Sequence, residues 1–395
     1  MEVGAEKRQA RMSAVLREGE QVKPLELFFD LVFVLAITQC TALMADQPDV
    51  EGIAKGLLIL ALLWWTWVGY AWLTSVVDPE EGAVRLVMFA AMAAVLVIAL
   101  CVPEAFDDLA LTFAVAYGFV RAAHIALFTI ASRDDPQLRE SVRGLAMSTA
   151  LGVALIVAAS FFDGATQGAI WALALALDYG LPYMFGTEGW KLVPEHFAER
   201  HGLIMIIALG ESIVAIGVGA EAGITAGVIT AAILGVVLVS MMWWAYFDVV
   251  ALVAVRRLAS LENRRARNAM ARDSYSYLHY PMIASVVLIA LGMKKTIEHV
   301  NDPLEVVPAV ALIGGFGVYL LAHVAFRLRN LGTVNRQRLV LGIAMFALIP
   351  LAAEIPALAT LAIVTAIACA LITYEAVRFA GVRDRVRHQM AQETS

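Results

Sequence analysis

Glu26 and Asp30 stand four residues apart, which on a helix places both carboxylates on one face. Such a pair can bind a cation or share a proton, because two like charges do not readily ionise side by side. Glu26, two residues past Pro24, is equally placed to cap a helix start. Arg121 and His124 are three apart and also share a face. Arginine there can neutralise a buried carboxylate or clamp an anion. Histidine can relay a proton or hold a ligand, or simply make an interhelical hydrogen bond. Asp178, Glu211, Asp248, His279, His323 and Glu375 complete the set, each inside an apolar stretch. No phosphate-cradling loop, HExxH helix or serine-nucleophile elbow accompanies them. Cys40, Cys101 and Cys369 lie far apart and suggest neither a disulfide framework nor a zinc site. No metal, cofactor or nucleic acid partner is therefore expected.

The elements that position these groups follow from composition. Of 395 residues, 61% are hydrophobic and only 16% charged, well outside the range of soluble domains. The chain reads as an all-α, polytopic membrane helix bundle. A span needs about 20 mainly apolar residues, and that rule gives twelve, at 25–44, 52–76, 84–102, 108–131, 142–162, 166–186, 202–220, 224–250, 275–297, 304–326, 337–353 and 356–378. Residues 1–23 and 381–395 are polar ends. With twelve spans, 25 of the 29 Lys and Arg fall on the side of the N-terminus. Lys55, Lys294 and Lys295 fall opposite, and Arg121 stays within a span. That asymmetry is the positive-inside signature, so both termini are expected in the cytoplasm. A charge near the bilayer centre costs at least about 2.5–3.5 kcal/mol, so the ionisable set is expected to face a polar interior.

Three ordered matches suggest two parallel six-helix repeats, 24–190 and 191–380. Leu62-Leu63-Trp64-Trp65 resembles Met241-Met242-Trp243-Trp244, and Val95–Leu100 resembles Val286–Leu291. The stretch from Gly118 through His124 resembles that from Gly317 through His323. An even number of spans keeps the halves parallel, related by an axis near the membrane normal. Glu26, Asp30, Arg121, His124, Asp178, Glu211, His279, His323 and Glu375 are then the candidate substrate- or ion-binding residues. They are expected to converge toward the cytoplasm, with Asp30 and Glu211 near the axis.

Three blocks carry a resemblance. Pro24-Leu25-Glu26-Leu27-Phe28-Phe29-Asp30-Leu31-Val32-Phe33-Val34 resembles the opening signature of the bacterial low temperature requirement protein A family. Arg200-His201-Gly202 through Ala208-Leu209-Gly210-Glu211-Ser212, and Arg272-Asp273-Ser274-Tyr275-Ser276-Tyr277-Leu278-His279-Tyr280-Pro281, are similar to two further blocks of it. The resemblance implies a bacterial multi-spanning membrane protein and supplies no mechanism. Phe28-Phe29-Asp30 is also loosely similar to the Phe-Ser-Asp of potassium channels built from two six-span repeats, with Phe29 in place of the serine.

Function is expected to be secondary transport or ion translocation, with Glu211 and Asp30 binding a proton or cation and His124 and His323 assisting. The alternative is a membrane-embedded enzyme acting on a lipid or isoprenoid substrate, its acid and base groups drawn from the same set. Membrane lipids and a small molecule or ion are the expected partners. The Arg-rich stretch from Arg256 to Arg272 suits anionic headgroups.

Overall fold

The computed structural model describes residues 21–80, 82–184, 189–220 and 223–381. The polar N-terminal end up to residue 20 and the C-terminal tail from residue 382 lie outside the described residues. The described residues are 84% helical, and no strand forms among them. In order the helices are α1 (Pro24–Asp46), α2 (Val50–Thr74), α3 (Gly82–Cys101), α4 (Ala110–Ala131), α5 (Pro136–Ala159), α6 (Gly164–Met184) and α7 (Pro194–Gly219). There follow α8 (Ala226–Phe247), α9 (Val250–Ala259), α10 (Arg264–Met270) and α11 (His279–Glu298), then α12 (Val306–Ala309), α13 (Gly315–Leu331), α14 (Arg336–Ala347) and α15 (Ala357–Arg378). Eleven helical stretches of the described chain are long and apolar enough to cross a membrane. The expected sixth span forms the 21-residue α6, which falls outside those eleven.

The apolar residues explain why this is a membrane fold. Along α3, Val84, Met88, Ala91, Val95 and Ile98 are buried, whereas Leu86 (69% exposed), Phe89, Leu96 and Leu100 face outward. Hydrocarbon exposed to water is unfavourable by about 25 cal/mol per Å²; against lipid tails the same surface carries no such penalty.

Polar residues set the helix starts. Asp49 accepts from Gly52 N at 2.8 Å, Asp135 from Gln137 N and Leu138 N, and Asn335 from Arg338 N. Each supplies an acceptor to backbone donors that have none within the helix. At α1, Pro24 takes the first turn and Glu26 Oε2 accepts from Lys23 N at 2.8 Å.

The chain divides into two compact units. The first contains residues up to Ile207 together with Leu261–Tyr280, and the second contains Ala208–Ser260 and Pro281 onward. Within the first, α2 packs against α1, α4 and α6 and buries Trp64, Trp65, Trp67 and Tyr70. Within the second, α8 packs on α15, and α13 on α9 and α14. Gly292 of α11 lets two backbones close up there, since a Cβ would stand 2.5 Å from that of Leu312.

Two segments widen to π-helix, Ala271–Tyr277 and Val310–Gly314. The first has a legible cause. Its i→i+5 pattern runs from Leu278 N to Asp273 O at 3.1 Å. Continued, it would ask residue 281 for a donor to the Ser276 carbonyl, and Pro281 has no N–H. Trp64 Nε1 donates to Ser276 O instead, at 2.7 Å, and a ring nitrogen of His279 meets Ser274 O at 3.0 Å.

Candidate functional site

Glu26 and Asp30 lie on one face of α1, and α7 answers with His196 and Arg200, also four residues apart. Arg200 forks across the pair: Nη1 donates to Glu26 Oε1 at 2.9 Å and Nη2 to Asp30 Oδ1 at 2.5 Å. His196 Nε2 meets Glu26 Oε1 at 2.8 Å, and its Nδ1 meets Ser75 Oγ at 3.1 Å. From α2, Trp67 Nε1 donates to Asp30 Oδ1 at 2.8 Å, and Thr74 Oγ1 accepts from Arg200 at 3.1 Å. The Arg200 guanidinium lies 5.5 Å from the centroid of the Trp67 ring. Glu26, Asp30, His196 and Arg200 all have no exposed surface. Asp30 Oδ1 thus takes two donors, while the buried Oδ2 takes none.

Glu26 therefore does two jobs. One oxygen caps α1 and the other joins the ion cluster. Beside the cluster, the His201 ring packs among Trp67, Phe197, Tyr275 and His279, with centroids 4.5–5.2 Å away.

A second buried centre holds Arg121 and Asp178. Arg121 Nη2 meets the two Asp178 oxygens at 3.0 and 2.9 Å and Thr149 Oγ1 at 2.8 Å. Here one cation faces one anion, a closed pair suited to tying α4 to α6. His124, a turn further on, bonds Gly69 O through Nε2 at 2.9 Å. Gly69 is required there, because a Cβ would lie 2.9 Å from the imidazole.

In the second unit, Glu375 of α15 receives a two-pronged bond from Arg338, Nε at 2.9 Å and Nη2 at 2.7 Å, and a third donor from Asn335 at 3.0 Å. A cavity of about 340 Å³ is lined by Asp248, His323, Arg338 and Glu375 among others. Glu211 is fully buried in the part of α7 that belongs to this unit.

The expected residues are thus gathered into local centres: Glu26 with Asp30, Arg121 with Asp178 near His124, His279 beside His201, and His323 with Glu375. Arg200, His196 and Trp67 are site residues that the sequence reading left out. The expected span begins at Gly202, which puts Arg200 in the preceding loop. The helix in fact starts at Pro194, because carboxylates on α1 neutralise a turn that would otherwise be too polar to bury. The signal was present in the His196–Arg200 spacing, which matches that of Glu26 and Asp30. Among the described residues no group of three or more His, Cys, Asp or Glu could hold a metal ion.

No solved structure matches the chain. A curated protein of Rhizobium meliloti (strain 1021), named as uncharacterized, is 28% identical over 346 residues, covering 83% of each chain. The family described as Bacterial low temperature requirement A protein (LtrA) matches residues 21–373, which include Glu26, Asp30, His196 and Arg200. This multi-pass membrane protein belongs to the bacterial low temperature requirement A family.

Proposed function

We propose that the chain is a secondary transporter or ion-translocating protein of the bacterial inner membrane, and that the Glu26–Asp30–Arg200–His196 cluster binds the translocated or coupling proton or cation. One observation carries this reading. A single guanidinium serves two fully buried carboxylates, and one oxygen of Asp30 has no donor. Arg121 with Asp178 and Arg338 with Glu375 are one-to-one pairs, already balanced. The shared cluster is different, because Arg200 can tighten on either carboxylate. A proton arriving on Asp30 frees the guanidinium for Glu26, and its departure draws the guanidinium back. Two arrangements of one network are what a coupled cycle needs from its ion site. His196, against Glu26 Oε1 and Ser75, supplies an adjoining group that can carry a proton.

The topology belongs to the same proposal, with both termini cytoplasmic and the two halves duplicated. The buried His124 of α4 and His323 of α13, each packed against a tyrosine, support the duplication. An enzyme acting on lipid would need its acid and base groups open to substrate, whereas Glu26, Asp30, His196 and Arg200 are all fully buried.

The test is flux in proteoliposomes under an imposed pH gradient or potential. The wild type is expected to acidify or alkalinise the lumen. Asp30→Asn, which keeps shape and an acceptor oxygen but cannot ionise, is expected to lose that flux by at least tenfold while eluting as a folded species. Full flux in Asp30→Asn would remove the cluster from the role.

A further inference from the structure

A cavity of about 70 Å³ in the first unit lies apart from the ion cluster's carboxylates. Its wall is mostly aromatic and aliphatic, with Trp65, Trp72, Phe128, Trp190 and Leu145 among its residues. Four polar residues reach it: Arg121, His124, Arg272 and Ser276.

The two cations are already matched. Arg121 is held by Asp178. Arg272 is held by Asp273 at 2.7 Å and lies over the Tyr183 ring, 4.1 Å from its centroid. The cavity therefore presents no unmatched positive charge to attract an anion. His124 and Ser276 are different. Gly69 O can only accept, so in the neutral ring Nε2 carries the hydrogen and Nδ1 presents its lone pair. That Nδ1 is buried and has no hydrogen-bond partner, on a side chain only 1% exposed. The bond to Gly69 O holds Nε2 in this pose, and the missing Cβ at Gly69 leaves room for the ring. Ser276 Oγ accepts from Trp72 Nε1 at 3.0 Å, which leaves its O–H to be donated.

Of the two lining residues, His124 thus asks a ligand for a donor and Ser276 offers it one. A hydroxyl answers both, since it carries one hydrogen and two lone pairs. Its carrier must be apolar to suit the tryptophans. Engineered apolar cavities of about 150 Å³ accept benzene; this one has roughly half that room and is partly open. It therefore fits the hydroxyl-bearing end of a longer aliphatic chain. We propose that this cavity is a binding site for an uncharged aliphatic or isoprenoid-like alcohol, with its hydroxyl held between His124 Nδ1 and Ser276 Oγ. The proposal does not rest on the ion-translocation reading and can stand if that reading falls.

The test is photolabelling of the full chain in nanodiscs with a short diazirine-bearing alcohol, its O-methyl ether and the matching carboxylate. Labelled peptides are read by mass spectrometry. The alcohol should label the peptides of α2, α4 and the Trp190 segment saturably, with 3-methylbutan-1-ol competing. The ether, which cannot donate to His124, should label about tenfold less. His124→Phe should lose the preference of alcohol over ether. Leu145→Trp, which leaves His124 in place and fills the space, should lose labelling by both. Three results would each overturn the proposal: equal saturable labelling by alcohol and ether in the wild type, stronger labelling by the carboxylate, or no saturable labelling at these peptides. If His124→Phe does not fold, Leu145→Trp and the ether comparison in the wild type still decide.

Discussion

Asp30 concentrates the account at the scale of single residues. Burying its charge in a span is unfavourable, and only Arg200 and Trp67 offset that burial with hydrogen bonds to Oδ1. Truncating Arg200 would leave Glu26 and Asp30 facing each other with the fork removed. We expect Arg200→Ala to lower unfolding free energy by about 3–5 kcal/mol, the usual consequence of breaking a buried pair on one side. Thermal unfolding in detergent measures it, and the deficit should shrink when Glu26→Gln and Asp30→Asn are added. Undiminished loss in the triple variant would show that Arg200 acts through packing instead. Trp67→Phe keeps the aromatic bulk and removes one donor to a carboxylate, so a loss of about 1.5–3 kcal/mol is expected. The same substitution in the Asp30→Asn background should cost less, and equal losses in both backgrounds would contradict a Trp67–Asp30 bond.

Helices and turns decide where such residues meet. The π segment before Pro281 frees the Ser276 carbonyl, and Trp64 satisfies it. Trp64→Phe should therefore destabilise by about 1–3 kcal/mol, the range for a buried acceptor left without a donor. Unfolding midpoints of that variant beside a tryptophan-to-phenylalanine control at the exposed Trp243 would show it. Equal effects at both sites would deny the bond its role. At the start of α5, the Lys191 ammonium, bonded to Asp135 at 2.9 Å, and the Leu138 and Gln137 N–H groups hold the Asp135 carboxyl below its usual range. A depressed folded value means the contribution is full above the unfolded value and is lost as pH falls through the folded one. Asp135→Asn keeps a capping oxygen and loses the charge. It should be less stable at neutral pH by under about 1 kcal/mol, as for other exposed pairs, and indistinguishable from wild type in acid. A difference that persists unchanged into acid would contradict this.

Much of this level was legible in the sequence. Apolar runs placed the helices, and the Glu26–Asp30 and Arg121–His124 spacings put each pair on one face. Pairing between helices was not legible. Nothing in the spacing of Arg121 selects Asp178 over Asp30, because that choice depends on which faces of α4 and α6 pack together. Arg200 was hidden for a related reason, since polarity reads as loop until its neutralising partner on α1 is known. The π segment escaped as well, although Pro281 was visible, because the wider turn depends on a donor from Trp64, more than two hundred residues away.

For the whole molecule, the family assignment and the helix bundle fix a multi-pass membrane protein. Its apolar outer surface suits lipid, and its polar groups are withdrawn into local centres that mostly balance. The proposed ion site is the centre where one guanidinium answers two carboxylates. Infrared difference spectroscopy of the lipid-reconstituted protein across a pH change reads carboxyl protonation directly, whatever the transported solute. The account predicts a carboxyl band from a buried acid that appears and disappears with pH in the wild type. That band should be absent or shifted in Asp30→Asn and unaltered in Asp178→Asn. A band that is identical in wild type and Asp30→Asn, or one that vanishes only in Asp178→Asn, would contradict the central claim.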